Sequence, residues 1–461
     1  MSLGTGIRLG DLIAAICFIL ALRGLTSPKT ARRGNLIGAA GMALAVGITF
    51  ATNGLTHFLL IVGAMLIGAV VAVPAARLVK MTAMPQMVAA FNGVGGGAAA
   101  LIALATFLRS PNGSLAVYQV VEVLFGVVVG CISFSGSCIA FAKLQELMTG
   151  RPVTYPGQQL VNGVIGAAIL ALGTAACVSP HGWMVTIVLA LALLFGVAFV
   201  LPIGGADVPV LISLLNSFTG LAVAASGFVL HSVVLVVAGT LVGASGTLLT
   251  QMMSRAMGRS LPNILFSAFG SVITATGGAE GDTNRAVRSA SAEDIAILLS
   301  YANKVIIVPG YGLAVAQAQH TIKELADLLE ARGVQVIYAI HPVAGRMPGH
   351  MNVLLAEANV PYEQLKEMDE ANPEFQSADV ALVVGANDVV NPAAKNSPGS
   401  PIYGMPILAV DEARNIVFLK RSMRPGFAGI DNELLFDPKT TLLFGDAKDS
   451  LTKVVAAVKA L

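Results

Sequence analysis

The chain has 461 residues, 55% of them hydrophobic and only 12% charged, with a mean hydropathy of +0.78, whereas soluble domains carry roughly 25% charged residues. That balance excludes an ordinary soluble protein and implies lipid as a partner, while a net charge of +2 with scattered Lys and Arg argues against nucleic acid. Cys17, Cys131, Cys138 and Cys177 lie in apolar runs with no Cys-x-x-Cys pair and no histidine at ligand spacing, so they read as buried free thiols and no metal is expected.

Stretches long enough to span a bilayer recur at about 12–25, 35–52, 57–78, 85–108, 117–142, 161–178, 182–201, 207–230 and 232–256, each near the ~20 residues a spanning helix needs. The amino end lacks a basic region followed by a small-residue cleavage site, so the first span is expected to stay attached. With the first loop inside, Arg23, Lys29, Arg32, Arg33, Arg77, Lys80, Lys143, Arg151, Arg255 and Arg259 are all cytoplasmic, leaving Arg8 and Arg109 outside. An odd number of spans then places the carboxyl end in the cytoplasm. Small-residue pairs such as Gly126-x-x-x-Gly130 and Gly239-x-x-x-Gly243 suit close helix packing.

Beyond residue 258 the texture changes. Residues 259–290 are rich in Gly, Ser, Thr and Ala and read as a linker or hinge. Ser291, followed by Glu293 and Asp294, marks a helix start. Buried-strand candidates follow at 305–308, 334–337, 380–384, 416–419 and 441–444, with helical patterns at 314–331 and 351–359 between several of them. The expected architecture is therefore a multi-span α-helical membrane bundle of about nine helices (1–258), a linker, and a cytoplasmic Rossmann-like α/β domain with a parallel sheet (291–461).

Gly310-Tyr311-Gly312, with Val315 in the third position of the pattern, follows the first strand and opens a helix, an arrangement whose amides can hold a pyrophosphate. A bare tight turn would have the same spacing. The second strand ends Ile340-His341 without the acid that an NAD site places against the ribose 2′-hydroxyl, and Lys420-Arg421-Ser422 supplies two cations and a hydroxyl at another strand's carboxyl end. NADP(H) is thus favoured over NAD(H). Gly385-Ala386-Asn387-Asp388 closes a third strand at the same edge, where Asp388 could hold a ribose or sense nicotinamide charge, or simply form a turn. Hydride transfer needs no triad, because the cofactors carry the chemistry. Within the spans, Asn92, Glu122, Asp207 and Asn216 stand out, since a carboxylate at the bilayer centre costs about 2.5–3.5 kcal/mol on insertion scales. Ser213, Asn216 and Gly220 share a helical face that Ser245-Gly246 could meet; Asp207, beside Pro209, also fits a helix cap, and Asn92 also fits a helix bridge.

Met84-Pro85, Gly136-Ser137 with Ala140-Phe141-x-Lys143-Leu144, Gly204-Gly205-Ala206-Asp207, Leu215-Asn216-Ser217, Pro309-Gly310-Tyr311-Gly312, His341 to Arg346, Asn352 to Ala358, Glu367 to Glu370, Gly385 to Asp388, Lys420 to Met423 and Gly445 to Lys448 together resemble the β subunit of proton-translocating NAD(P)+ transhydrogenase, nearly end to end. The resemblance implies hydride transfer between NADH on a partner and NADP+ held here, coupled to proton passage through the bundle. It implies a pocket for NADP(H) lined by Tyr311, Val343, Ala344, Gly345, Arg346, Met347, Pro348, Gly385, Ala386, Asn387, Asp388, Val389, Gly404, Met405, Lys420, Arg421, Ser422, Gly426, Phe427, Gly445 and Asp446, with 420–427 as a lid and the dinucleotide reversed relative to usual Rossmann enzymes. It also implies α subunits that carry the NAD(H) domain and the remaining helices, a dimer of heteromers, and a bacterial inner membrane.

Two departures bear on mechanism. Asn92 stands where some bacterial members have a histidine implicated in proton passage, so the titrating group is expected elsewhere, on a companion chain's histidine. Phe427 stands where many members have tyrosine, removing a hydroxyl from the lid. Proton coupling is expected to involve Asn92, Asp207, Asn216 and Ser245, with Asp388 at the nucleotide. The alternative from another class is a channel or secondary transporter gated by a regulatory Rossmann domain; it would want the missing acid after Ile340 and a selectivity-filter string, which no span contains.

Overall fold

The computed structural model describes residues 3–51, 57–110, 115–149, 152–204, 207–256, 260–262, 287–345, 349–397, 400, 402–426 and 428–461. Most of the expected linker, together with Arg346, Met347, Pro348 and Phe427, lies outside them. The chain divides into two compact units, Met1–Pro202 with Leu211–Thr250, and Ile203–Val210 with Gln251–Leu461.

Among the described residues, nine helices are long and apolar enough to cross a membrane. They are α1 (Leu3–Leu25), α2 (Pro28–Ala51), α3 (Phe58–Leu78), α4 (Met84–Arg109), α5 (Val117–Leu144), α6 (Gln158–Val178), α7 (Gly182–Val200), α8 (Val208–Val229) and α9 (Val233–Ala256). The first two start earlier than the hydropathy windows because a helical ladder runs on through charged residues such as Arg8, Arg32 and Arg33, while hydropathy sees only the apolar stretch. In α3 no residue is buried within the chain, so its apolar surface faces lipid or another polypeptide. The expected burial of all four thiols needs correction: Cys131 is buried, Cys138 is exposed and Cys17 and Cys177 are intermediate. A cysteine in an apolar run is compatible with either surface of a spanning helix, since lipid tails are as apolar as a core.

Glycines set the closest helix approaches. A Cβ on Gly130 of α5 would fall 2.6 Å from the carbonyl of Gly96 on α4, and one on Gly220 of α8 would fall 2.4 Å from the Gly243 amide on α9. Such distances are open only to backbone against backbone.

The second unit contains a six-stranded, wholly parallel sheet in the order β3-β2-β1-β4-β5-β6. Its strands are β1 (Lys304–Pro309), β2 (Gln335–Ile340), β3 (Leu365–Glu367), β4 (Val380–Val384), β5 (Asn415–Lys420) and β6 (Thr440–Phe444). Helices α10 (Ala292–Ser300), α11 (Tyr311–Val315), α12 (Gln319–Glu330), α13 (His350–Glu357) and, at the carboxyl end, α16 (Ala447–Ala460) accompany it, with α14 (Met368–Ala371) and α15 (Ala393–Asn396) as single turns. Ser291 caps α10: its hydroxyl accepts from the Asp294 amide, and its own amide donates back to the Asp294 carboxylate, as its spacing from the acid predicts. Central strands β1 and β4 are buried at every position, which is why they read as continuous apolar runs. The sequence reading missed β3, a three-residue edge strand without an apolar run. It also joined α11 and α12 into one helix. Gln317 between them has φ 50, a left-handed turn that ends the first helical run.

Candidate functional site

In a doubly wound sheet the strand order reverses between β1 and β4, and ligands bind at the carboxyl ends there. Pro309 pairs with Val384, Val384 with Leu419, and Lys420 with Phe444. One residue beyond, Gly310, Gly385, Lys420 and Gly445 therefore line one edge, the edge on which sequence placed its candidates.

Gly310 and Gly312 pack directly on the β4 turn. The Gly310 amide donates to Val384 O at 2.9 Å and the Gly312 amide to Gly385 O at 3.0 Å. A Cβ on Gly312 would lie 2.7 Å from Gly385 Cα, and one on Gly385, whose φ is +69, would lie 2.4 Å from Gly312 Cα. The expectation that this turn offers amides to a pyrophosphate is thereby narrowed, because two of them are used within the sheet edge. What the glycines provide is a bare floor. Val315, 43% exposed at the end of α11, tolerates its side chain because the helix stops there instead of running close over the strands.

The far wall is a polar lattice between the β4 turn and the segment after β5. Lys420 Nζ donates to Asn387 Oδ1 at 2.9 Å, Asn387 Nδ2 donates to Asp388 Oδ1 at 3.1 Å, and the Ala428 amide donates to Asp388 Oδ2 at 2.9 Å. Asn432 Nδ2 donates to Asn387 O and Asn391 Nδ2 to Asp431 O, both at 3.0 Å. Gly426 lies on this lattice so closely that a Cβ would sit 2.4 Å from Asp388 Oδ1. Desolvation holds the Lys420 ammonium below the usual lysine range, opposed by Asp388 and Asp431. Lys420 is thus committed to the protein, while Arg421 is exposed with no hydrogen bond or ion pair among the described residues. Ser422 accepts from the Arg424 amide at 3.4 Å. Sequence reasoning grouped Lys420 with Arg421 as equivalent cations; their neighbours separate them.

His341, 1% exposed at the end of β2, ties the remaining loops together. Its Nε2 lies 2.8 Å from Pro406 O and its Nδ1 accepts from the Val343 amide at 3.2 Å, a pattern that selects the neutral tautomer protonated at Nε2. Burial pushes its pKa down to about 4, the bond to Pro406 acting the other way. Val343 packs against Met405 in a small core with Ala393, Ala394, Ile402 and Ile407. Gly404 takes φ +83, and Gly345, at φ +99, leaves space for the His350 ring that a Cβ would strike at 2.5 Å. Ala344 and Ala386 are buried beside these turns, as is Val389. Asp446 caps α16 by accepting from the Lys448 amide at 3.0 Å, and a Cβ on Gly445 would meet Ser450 Oγ at 2.5 Å. Tyr311 stacks edge-on against His350, ring centroids 6.2 Å apart.

In the helical unit the candidates separate. Asn92 is buried on α4 and bonds Ser137 and Ser133 of α5. On α8, Ser213 donates to Gly246 O and Ser217 to Gly243 O, so Ser217 makes the tie to α9 that spacing suggested for Asn216. Ser245 turns to Val242 O of its own helix, while its neighbour Gly246 accepts from Ser213 of α8. Asp207 immediately precedes α8, and Glu122, half-buried on α5, has no hydrogen bond or ion pair among the described residues. Lys143, which the sequence placed among the cytoplasmic cations without a partner, is buried at the end of α5 and donates to Leu201 O at 2.6 Å and Val200 O at 3.3 Å. A cation thus satisfies carbonyls at the end of α7. A lysine within a long apolar run was the available signal.

A family model described as NAD(P) transhydrogenase beta subunit matches residues 7–457. The chain is 50% identical over 457 residues to the NAD(P) transhydrogenase subunit beta of Rhodospirillum rubrum, covering 97% of this chain and 98% of the relative. The same identity and coverage hold for the subunit from a designated strain of that species.

Proposed function

This chain belongs to the NAD(P) transhydrogenase beta subunit family, and on that premise we propose that it binds NADP(H) and exchanges hydride with NAD(H) on an α subunit while protons cross its helices. The domains are 1–258 for proton translocation, 259–290 as a linker and 291–461 for NADP(H). The observation that carries the reading is the union, among the described residues of one chain, of nine membrane-capable helices and a 3-2-1-4-5-6 parallel sheet whose switch-point edge is built from Gly310, Gly312 and Gly385.

The edge fits the cofactor. Side chains at its three glycines would strike the facing β1 or β4 turn and force the edge apart, and Arg421 stands at the same edge with its guanidinium making no hydrogen bond or ion pair among the described residues, suited to a 2′-phosphate by its planar donors. NADP(H), when bound, supplies the hydride acceptor or donor. The protein's residues do the rest: Gly310, Gly312 and Gly385 admit the dinucleotide close to the backbone, Lys420 fixes Asn387, whose amide in turn holds Asp388, and by the family resemblance 420–427 serves as a lid. Arg346, Met347, Pro348 and Phe427 complete the pocket by the family resemblance.

The cation distribution supports a carboxyl-terminal domain in the cytoplasm, the family resemblance supports an inner bacterial membrane, and the exposed apolar surface of α3 leaves room for companion helices in a dimer of heteromers. Because the two nicotinamide couples are nearly isoenergetic, a force of about 200 mV on one proton, about 4.6 kcal/mol, would move the product ratio by about three decades. Coupling requires the linker and lid to differ with nucleotide redox state. The test is reconstitution with the companion subunit into liposomes: NADPH formation accompanied by a change of internal pH is expected, and ion flux without nucleotide turnover would refute the reading.

A further inference from the structure

Two buried polar atoms of the carboxyl-terminal domain have no hydrogen-bond partner among the described residues, the Tyr338 hydroxyl and the Gln364 amide oxygen, and the sheet brings them to one place. Tyr338, in β2, is 0% exposed and pairs with Leu365 at the start of β3, so Gln364 immediately precedes its cross-strand neighbour. Successive residues of a strand face opposite sides of a sheet. Ile337 and Ala339 belong to the core that holds Phe375 and Phe418, which sends Tyr338 to the other side. There α12 packs on β2 with its own buried Ile322, Leu325 and Leu329. Gln364 turns to the same helix, its Nε2 donating to Glu330 Oε1 at 2.5 Å. The reverse orientation of the amide would set oxygen against oxygen, so Oε1 is the end left over.

The two atoms ask for opposite things. Burial, and then the charges of Asp327 and Glu330 on α12, push the Tyr338 phenol above its usual range, so it stays protonated and keeps a hydrogen to give. The Gln364 oxygen can only accept. Each, left alone, would carry the desolvation penalty of a buried unpaired group. A guest that serves both must accept one hydrogen and donate another. A cation could accept nothing from the phenol, and an anion would face two carboxylates and the amide oxygen. Water meets both demands and is the smallest molecule that does.

We propose that the carboxyl-terminal domain holds one buried water between α12 and the β2–β3 pair, accepting from the Tyr338 hydroxyl and donating to Gln364 Oε1, with the Glu330 carboxylate, already bonded to the same amide, as the acceptor for its second hydrogen. The water fastens the end of α12 to β3. That strand has three residues and pairs on one side alone, so its own ladder supplies few bonds. The site stands apart from the glycine edge and takes part in neither nucleotide binding nor proton passage.

The experiment measures thermal unfolding of the detergent-solubilised protein, with a probe in the carboxyl-terminal domain, for Tyr338→Phe, Gln364→Leu and the double variant, beside NADP(H) affinity. The sign of the Tyr338→Phe shift decides. With the water in place, deleting the hydroxyl removes one of its partners, and the midpoint is expected to fall by about 2–6 °C. Without it, the same change deletes a buried unpaired group, and the midpoint would rise. Gln364→Leu also loses the bond to Glu330, so its reading is the coupling: the double variant should fall short of the summed single losses by about 2–4 °C, because one bridge is lost only once. Should Gln364→Leu fail to fold, Gln364→Met, closer in shape, takes its place in the cycle. NADP(H) affinity should stay within about twofold throughout. A Tyr338→Phe midpoint that rises or stays still would overturn the assignment, and so would strictly additive losses or weakened nucleotide binding in Tyr338→Phe. A midpoint of the unaltered protein that climbs when Na+ or K+ replaces choline at constant ionic strength, and does so no longer in Tyr338→Phe, would put a cation in the site and overturn it as well.

Discussion

The contact between Gly312 and Gly385 makes a quantitative prediction because the fold contains its own control. Gly385→Ala incurs two penalties: a side chain at φ +69, and a Cβ placed 2.4 Å from Gly312 Cα, a backbone atom that cannot rotate aside. Gly333 isolates the first, since its φ is +84 and nothing lies within 4 Å of an added Cβ. Gly312 isolates the second, with a Cβ contact of 2.7 Å to Gly385 Cα and no left-handed backbone. A left-handed alanine costs about 1–2 kcal/mol, and overpacking against unyielding neighbours costs about 1–3 kcal/mol. Gly333→Ala should therefore lose about 1–2 kcal/mol, Gly312→Ala about 1–3, and Gly385→Ala about 2–5, because the two effects act at one residue. At roughly 2–4 °C of midpoint per kcal/mol for a domain of this size, the expected falls are about 2–8 °C for Gly333→Ala and about 4–20 °C for Gly385→Ala. The assay is thermal unfolding of the detergent-solubilised protein with a probe in the carboxyl-terminal domain, beside titration with NADP(H). Gly312→Ala and Gly385→Ala should weaken the nucleotide and Gly333→Ala should not. If Gly385→Ala proves no less stable than Gly333→Ala, the turns are not in rigid contact and the argument for a glycine floor fails.

Other consequences are as direct. His341 is held neutral: its pKa falls from an ordinary 6.5 to about 4 on folding, so the stability this confers is complete above pH 6.5 and lost as pH falls toward 4. The loss amounts to about 2 kcal/mol by pH 5 and about 3 kcal/mol by pH 4; unfolding midpoints of the native protein and His341→Asn should converge across that window, and parallel curves would refute the assignment. Arg421→Ala should weaken NADP(H) by about 1.5–3 kcal/mol, the value of a charged hydrogen bond, with little effect on melting, whereas Lys420→Ala should reduce both because Asn387 loses its donor; equal profiles for the two variants in calorimetry and melting would erase the distinction. Lys143→Met should destabilise the helical unit by about 1.5–3 kcal/mol by leaving the Val200 and Leu201 carbonyls without their cation, and Lys143→Arg should recover part of it, as read by thermal melting in detergent.

Much of this protein was legible in one dimension. Spanning helices announce themselves because lipid demands about twenty apolar residues in succession, and β1 and β4 because strands buried on both faces are continuously apolar. Three-residue β3 had no such pattern, and the break at Gln317 left the helical period intact on both sides. In the site, residue type showed that Gly310, Gly385, Lys420 and Arg421 belong at the carboxyl edge of a parallel sheet, because strand ends and turn glycines are local features. Which groups are already engaged was decided by folding alone. Lys420 and Arg421 are adjacent and equally charged, yet only Lys420 reaches Asn387, thirty-three residues away. Asn216 and Ser217 stand side by side on α8, yet only Ser217 meets Gly243. Hydrogen bonds are directional and short, so partners far apart in sequence become specified when the packed backbone brings particular atoms within about 3 Å of one another. Composition and periodicity determined the elements and the edge where the candidate residues gather; tertiary packing bound Lys420, Asn387 and Asp388 there to their neighbours and left Arg421 without a partner among the described residues.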